Sequence, residues 1–147
     1  MNHVDAARDL RRIVAECEHK FLAVGEEEAG HSDGPEKWSR KQILGHLIDS
    51  ATNNHQRFIR MQLTPELHFP GYQQNEWVSL NYYAARRWPD LVVLWAAYNR
   101  HLADVMERIA PETLEHIWDK GDARYDLAFV AMDYVVHLRH HVDQITR

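Results

Sequence analysis

The sequence predicts an all-α protein that folds as a four-helix bundle. Four stretches of roughly 20 residues repeat apolar side chains at spacings of three and four, the pattern of one buried helical face. Few segments alternate polar and apolar residues as a half-buried β-strand would. A long segment separates the second and third stretches, which predicts a long crossover connection between these helices. A chain of 147 residues can build one core, so we expect a single domain over 1–147.

The first two helices have clear sequence boundaries. The first is predicted from about Val4 to Val24 and ends in GEEEAGHSDGP, which contains three glycines and a proline. The second begins after Ser39, which can cap a helix, and Gln42 three residues later completes a capping box. The segment LTPELHFPGY ends this helix, because its two prolines do not fit inside one.

The second half of the chain contains the crossover and two more helices. The segment from Leu63 to Trp88 is rich in aromatic residues, so we expect it to pack over the bundle, with a short helical piece near Glu76 to Ala85. The third helix is predicted to start at Pro89, because proline is favoured in a first helical turn. A connector with a short turn at Pro111 to Leu114 follows, and the fourth helix is predicted from about Asp126 to the C-terminus.

Composition excludes several classes of protein. The formal net charge of −5 argues against broad nucleic-acid binding, which relies on clustered lysine and arginine. The polar N-terminal residues do not form a signal peptide, and no apolar run approaches the ~18 residues of a membrane span. Cys17 is the single cysteine, so no intramolecular disulfide is expected. We therefore expect a cytoplasmic protein that binds neither nucleic acid nor membrane.

Histidines are concentrated in the final segment, VVHLRHHVDQITR. On a helical wheel His141 lies roughly 40° from the centre of the apolar stripe, and His137 roughly 80° away on the same side. His140 lies about 140° from that centre, toward solvent. His137 and His141 are therefore predicted to form a chelating pair at the inner edge of the helix, with His140 on the surface.

A third metal ligand is predicted in the second helix. His46 belongs there to a narrow polar sector beside the apolar stripe, and such a sector can line a pocket. Its other members are Ser50, Asn53 and Arg57. Gly45 leaves room for the close approach of a backbone or a ligand. The alternative is that the polar sector is solvated and that the histidine spacing arises by chance in a chain with eleven histidines.

Three segments together resemble one protein superfamily: WSRKQILGHLIDSATNNHQRFIR, FPGYQQNEWV and HLRHHVDQI, in that order. They resemble the DinB-like superfamily of DNA-damage-inducible and YfiT-like metal-dependent proteins, over nearly the whole chain. The resemblance implies up-down-down-up connectivity, often in a dimer, and a divalent ion, typically nickel or zinc. One histidine of the second helix and two of the fourth hold this ion in the superfamily, which here correspond to His46, His137 and His141.

The resemblance also implies a function. The superfamily includes proposed hydrolases and transferases that use low-molecular-weight thiols, so we expect a metal-dependent enzyme that acts on a small molecule. The ion would activate water or a thiol. The alternative is a non-catalytic metal-binding bundle whose apolar face forms a homodimer. A ferritin-like di-iron oxidase is disfavoured, because the Glu-x-x-His motif of that site does not occur at any of the three histidines.

Further residues are candidates for a supporting role. A ligating imidazole usually donates its second N–H to an oriented acceptor, and Asp49 and Asp133 are candidates for that acceptor. Gln144 can help to position a ligand, and Trp38 and Tyr72 can wall the pocket. The alternative for each is an ordinary surface or core residue. An acidic thiol would also need a cationic mouth, for which the candidates are Arg57, Arg60, Arg86 and Arg87.

Overall fold

Four long helices form the body of the molecule in the computed structural model, which describes residues 2–147. The helices are α1 (His3–Leu22), α2 (Glu26–Gly30), α3 (Arg40–Leu63), α4 (Gln74–Leu80), α5 (Trp88–Glu107) and α6 (Leu127–Ile145). Two 3-10 turns span Tyr83–Ala85 and Pro111–Thr113, and three short strands are β1 (Glu66–His68), β2 (Ile117–Asp119) and β3 (Arg124–Asp126). The long helices α1, α3, α5 and α6 correspond to the four predicted ones.

Helices α1 and α5 are antiparallel. Arg11, in the first half of α1, donates to a carboxylate oxygen of Glu107 at the end of α5 (3.0 Å). At the other end of the pair, the indole Nε1 of Trp88 donates to the carbonyl oxygen of Phe21 (2.6 Å). The end of each helix therefore lies beside the start of the other.

Helix α3 is parallel to α5 and antiparallel to α6. The backbone N–H of Ala110, just beyond α5, donates to the side chain of Gln62 at the end of α3 (3.1 Å). Arg40, at the start of α3, donates to the carbonyl oxygen of Ile145 at the end of α6 (2.9 Å). Together with the antiparallel α1 and α5, these contacts give up-down-down-up connectivity, which confirms the predicted architecture.

The local helix signals in the sequence are also confirmed. Ser39 caps α3: its side chain accepts from the N–H of Gln42 (3.3 Å), and its own N–H donates to the Gln42 side chain (2.9 Å). Asp126 caps α6 by accepting from the N–H of Phe129 (2.8 Å). Helix α5 begins at Trp88, one residue before the predicted start. Capping depends on residues within one turn, which is why the sequence alone could place these boundaries.

A small sheet, which the sequence did not predict, joins the crossover to the connector between α5 and α6. Strand β1 pairs in parallel with β2, and β2 pairs antiparallel with β3. Leu67 lies opposite Trp118, and Trp118 lies opposite Tyr125. Each strand has only three residues, too few to produce a recognisable alternation of polar and apolar side chains. The sheet places Trp118 beside α3.

The predicted apolar stripes face one continuous core. Its largest fully buried side chains include Phe21, Phe58, Trp88 and Trp95. Among residues 2–147, no helix has the length and apolar character that crossing a membrane requires.

The crossover is fixed to α3 by the side chain of Tyr83. The Tyr83 ring lies directly on Gly45, where an added Cβ would come within 2.0 Å of a ring carbon. Its hydroxyl donates to Asp49 Oδ1 one turn further along α3 (2.6 Å), and Asn81 Nδ2 donates to the same oxygen (3.0 Å). The space that Gly45 leaves is thus filled by a side chain of the crossover.

Asp49 is a buried carboxyl group, with only 2% of its surface exposed. Its second oxygen, Oδ2, has no hydrogen-bond partner in residues 2–147. Burial raises the pKa of Asp49 to about 6, although the hydrogen bond from Tyr83 acts in the opposite direction. The folded protein therefore binds the proton of the Asp49 carboxyl group more tightly than the unfolded chain does.

We expect Gly45→Ala to destabilise the fold. Alanine favours a helix over glycine by about 1 kcal/mol, but the new methyl group would displace the buried Tyr83 ring, and such overpacking costs about 1–3 kcal/mol or more. Denaturant titration should show a net loss in the free energy of unfolding. Gly30→Ala is the control, since its added Cβ would lie 3.8 Å from the nearest atom, in the Lys41 side chain. Equal stability of the Gly45→Ala variant and the wild type would contradict the packing described here.

We expect Asp49→Asn to change how stability depends on pH in the metal-free protein. The Asp49 carboxyl stabilises the fold below pH 3.8, and this contribution is lost as the pH rises through about 6. The amide does not titrate, so the variant should gain stability over the wild type between pH 4 and pH 8, on the order of 2–3 kcal/mol. Urea titrations of both proteins at several pH values would measure this difference in the free energy of unfolding. His46 titrates in both proteins, so its contribution cancels when one is subtracted from the other. If the stability difference between the variant and the wild type did not change with pH, the result would be evidence against a raised pKa of Asp49.

Candidate metal centre

Three imidazoles converge between α3 and α6. His46 comes from the first half of α3, and His137 and His141 lie one turn apart near the end of α6. The Nε2 atoms of His137 and His141 are 3.2 Å apart. The His46 ring centroid lies 5.0 Å from that of His141 and 5.7 Å from that of His137. One ring nitrogen of each histidine lies within 4.8 Å of those of the other two.

Burial favours the neutral form of two of these imidazoles, those of His46 and His137. His46 is only 1% exposed, and burial, with the charges of His141 and His137 as smaller causes, lowers its pKa to about 4. Burial also lowers the pKa of His137. Neutral imidazole is the form that binds a metal ion, because its unprotonated nitrogen has a free lone pair. The site therefore presents unprotonated nitrogens near neutral pH.

Gln144 fixes the orientation of His141. Its Oε1 lies 3.1 Å from His141 Nδ1, and since an amide oxygen only accepts, Nδ1 carries the proton. The lone pair of His141 is then on Nε2, which faces Nε2 of His137. Among the three residues predicted to support the ligands, Gln144 is the one that hydrogen-bonds to an imidazole in residues 2–147.

The two predicted carboxylates are placed differently. Asp49 is buried, but its hydrogen bonds are to Tyr83 and Asn81. Asp133 is exposed; its charge raises the pKa of His137, against the larger effect of burial, without a hydrogen bond in the described residues. Neither carboxylate orients an imidazole through a direct hydrogen bond in residues 2–147.

The aromatic candidates and His140 also have definite positions. Trp38 packs on His46, with ring centroids 5.1 Å apart, and so covers one side of that imidazole. Tyr72 lines a cavity that also borders His137. His140 is exposed, as the helical wheel predicted.

The donor set fits a divalent transition-metal ion. Two nitrogens 3.2 Å apart have the separation expected of ligands that each lie about 2.0–2.1 Å from one ion. The Nδ1 atom of His46 is buried without a hydrogen-bond partner in residues 2–147, which is costly for a purely structural histidine. Three imidazoles leave at least one coordination position for water or substrate.

A cavity of about 330 Å³ adjoins this cluster. Helices α3 and α6, the crossover and the small sheet all contribute to its walls. His137 borders it, together with Arg57 and Trp118. Sequence patterns gave no signal for Trp118, because its place in the cavity depends on the unpredicted strand pairing.

A second group with metal-ligating side chains lies at the sheet. Glu66, His68 and Asp119 come close together, but they are more exposed than His46. Arg124 Nη1 already contacts both carboxylates, at 2.6 Å from Glu66 and 2.9 Å from Asp119. An arginine of the chain itself therefore already pairs with both carboxylates of this more exposed group, and the three-histidine cluster is the stronger candidate.

Comparison with solved structures shows a close likeness to YfiT from Bacillus subtilis, which is described as "a probable metal-dependent hydrolase with an unusual four-helix bundle topology". The TM-score is 0.87 at 16% sequence identity, over 98% of this chain and 83% of that chain. No family model matches the sequence, and no curated protein matches it either. The structural likeness confirms the predicted resemblance for the fold: the chain adopts the YfiT-like, DinB-like four-helix bundle.

Proposed function

We propose that this chain is a metal-dependent enzyme in which His46, His137 and His141 hold one divalent ion, nickel or zinc. Its substrate is a small molecule, and the bound ion would supply the Lewis acidity that activates water or a low-molecular-weight thiol. The observation that carries this proposal is the convergence of three imidazoles from two helices beside a cavity. The description of YfiT as a probable metal-dependent hydrolase makes hydrolysis the first reaction to test.

The chain's own residues prepare the site before any ligand binds. Trp38 and the surrounding core hold His46, and Gln144 keeps His141 in the tautomer whose Nε2 is free. Because these groups are already in place, metal binding requires little rearrangement, and a fixed ligand set favours one coordination geometry.

The chemistry of such a centre follows from its charge. A divalent ion held by the imidazoles of His46, His137 and His141 would act as a Lewis acid, and it would lower the pKa of water or a thiol toward neutrality. The cavity beside His137 is the place for the substrate, and its walls include Tyr72, Tyr134 and Trp118.

We expect the variants His46→Ala and His141→Ala to lose stoichiometric metal. Protein prepared without a histidine tag and loaded with zinc or nickel should contain about one ion per chain, measured by elemental analysis after dialysis. The matched control is His140→Ala, which removes the exposed neighbour on the same helix and should leave metal content unchanged. Full metal content in His141→Ala, or its loss in His140→Ala, would overturn the ligand assignment. Far-ultraviolet circular dichroism should show that each variant remains helical.

We expect the loaded protein to turn over members of a panel of esters, amides and thiol–electrophile pairs. Activity should disappear on chelation, return when the metal is restored, and be absent in His141→Ala. A protein that holds one ion per chain but is inert toward the whole panel would favour the alternative, a non-catalytic metal-binding bundle. The homodimer stays a prediction, for which the molar mass in solution is the measurement.

A further inference from the structure

Arg57 is a buried arginine without an acidic partner. It is 7% exposed and forms no ion pair with a carboxylate in the part of the chain that the structure describes. Within residues 2–147, Nη1 is the one guanidinium nitrogen that makes a hydrogen bond, a long one of 3.4 Å to Asn54 Oδ1, and Nε is buried without a partner. A guanidinium remains charged even when buried, so this positive charge lacks a counterion.

The guanidinium is held in a fixed position. Its central carbon lies 4.0 Å from the centre of the Trp118 ring, a cation–π contact. The Trp118 indole N–H donates to the carbonyl oxygen of Phe69 (2.8 Å), which fixes the ring. Asn54, which accepts the Nη1 hydrogen bond, is itself anchored by donating to the carbonyl oxygen of Ser50 (2.8 Å). Nη2 makes no hydrogen bond within residues 2–147, and Arg57 lines the cavity, so this nitrogen can bind a ligand there.

The same cavity contains Arg57 and His137. Lys120, Tyr72 and Ser50 add further polar groups to its walls, while Asp133 lies at its exposed side. Burial raises the pKa of Tyr72 to about 12, so its hydroxyl remains a hydrogen-bond donor. The volume of about 330 Å³ lies at the lower end of the range for small-molecule pockets.

Helix α3 carries both His46, a member of the histidine cluster, and Arg57, which lines the cavity. Arg57 lies eleven residues after His46, which corresponds to about 16 Å of helix. Long side chains on a helix lean toward its N-terminus, so the guanidinium approaches the histidines. Arg57 and His137 line one cavity, so a small molecule held at Arg57 can reach the histidine cluster.

We propose that Arg57 binds the carboxylate of a small-molecule substrate and thereby positions the rest of that molecule beside the three histidines. A planar carboxylate matches the paired N–H groups at the edge of a guanidinium. The inference about the reaction rests on the proposed function, whereas the anion site itself rests on Arg57 and its surroundings.

Binding to the metal-free protein tests this site without any contribution from a metal ion. Hexanoate is the probe, hexanamide its neutral counterpart and inorganic phosphate the competing anion, each titrated into ¹⁵N-labelled protein. We expect hexanoate, and not hexanamide, to shift the Nε–H resonance of Arg57 and the indole resonance of Trp118. If hexanamide binds equally well, if phosphate binds more tightly than hexanoate, or if these resonances do not move, the proposal is wrong.

Variants separate Arg57 from the other positive charges. Arg57→Gln should weaken hexanoate binding about tenfold or more, because a charge-assisted hydrogen bond is lost. Arg57→Lys keeps the charge but loses the paired N–H groups, so it should also weaken hexanoate binding. This variant serves as the test if Arg57→Gln does not fold. Arg60→Gln is the matched control: Arg60 was a candidate for the cationic mouth, but it is exposed and is not among the described residues that line the cavity, so this variant should bind hexanoate as the wild type does. Equal weakening by Arg60→Gln would contradict a specific site.

The outcome also separates this proposal from the proposed function. Hexanoate binding at Arg57 in a protein that never holds metal would retain the carboxylate site and reject the metal-dependent enzyme. If the protein shows metal-dependent turnover but hexanoate does not shift the Arg57 resonance, the metal-dependent enzyme is retained and the carboxylate site is rejected.

Discussion

The antiparallel packing of α3 against α6 is the constraint on which the candidate centre depends. It places His46, near the start of one helix, opposite His137 and His141, near the end of the other. The Arg40 contact with the carbonyl oxygen of Ile145 fixes this pairing at its end. A shift of one residue in either helix would turn a histidine by about 100° and separate the three nitrogens. The bundle thus acts as the rigid support for a site built from distant parts of the chain.

Helix α3 also carries an unusual share of buried polar atoms without partners. Five such atoms occur in residues 2–147, and three of them belong to His46, Asp49 and Arg57 on this helix. Unsatisfied buried groups cost stability, so their concentration on one helix is not what packing alone would select. His46 belongs to the metal cluster, and Arg57 lines the cavity, where an anion would pair with its charge. Asp49 instead accepts hydrogen bonds from the crossover and holds it against α3.

What the sequence could predict was limited to properties that depend on neighbouring residues. The capping box at Ser39, the helix stripes and the inward direction of His137 and His141 all follow from regular helical geometry. The side chain that fills the space at Gly45 could not be predicted, because Tyr83 arrives there through the crossover. Trp118 was missed for a similar reason: its contact with Arg57 depends on strands of three residues. Contacts between segments far apart in the chain have no local signature.

Anomalous diffraction from crystals of the metal-loaded protein tests the central claim most directly, because it locates the ion without relying on activity. Data collected on either side of the zinc or nickel absorption edge should show one peak per chain, about 2.0–2.1 Å from one nitrogen of each of His46, His137 and His141. A peak at the Glu66, His68 and Asp119 group, or one that contacts fewer than three of these imidazoles, would contradict the account.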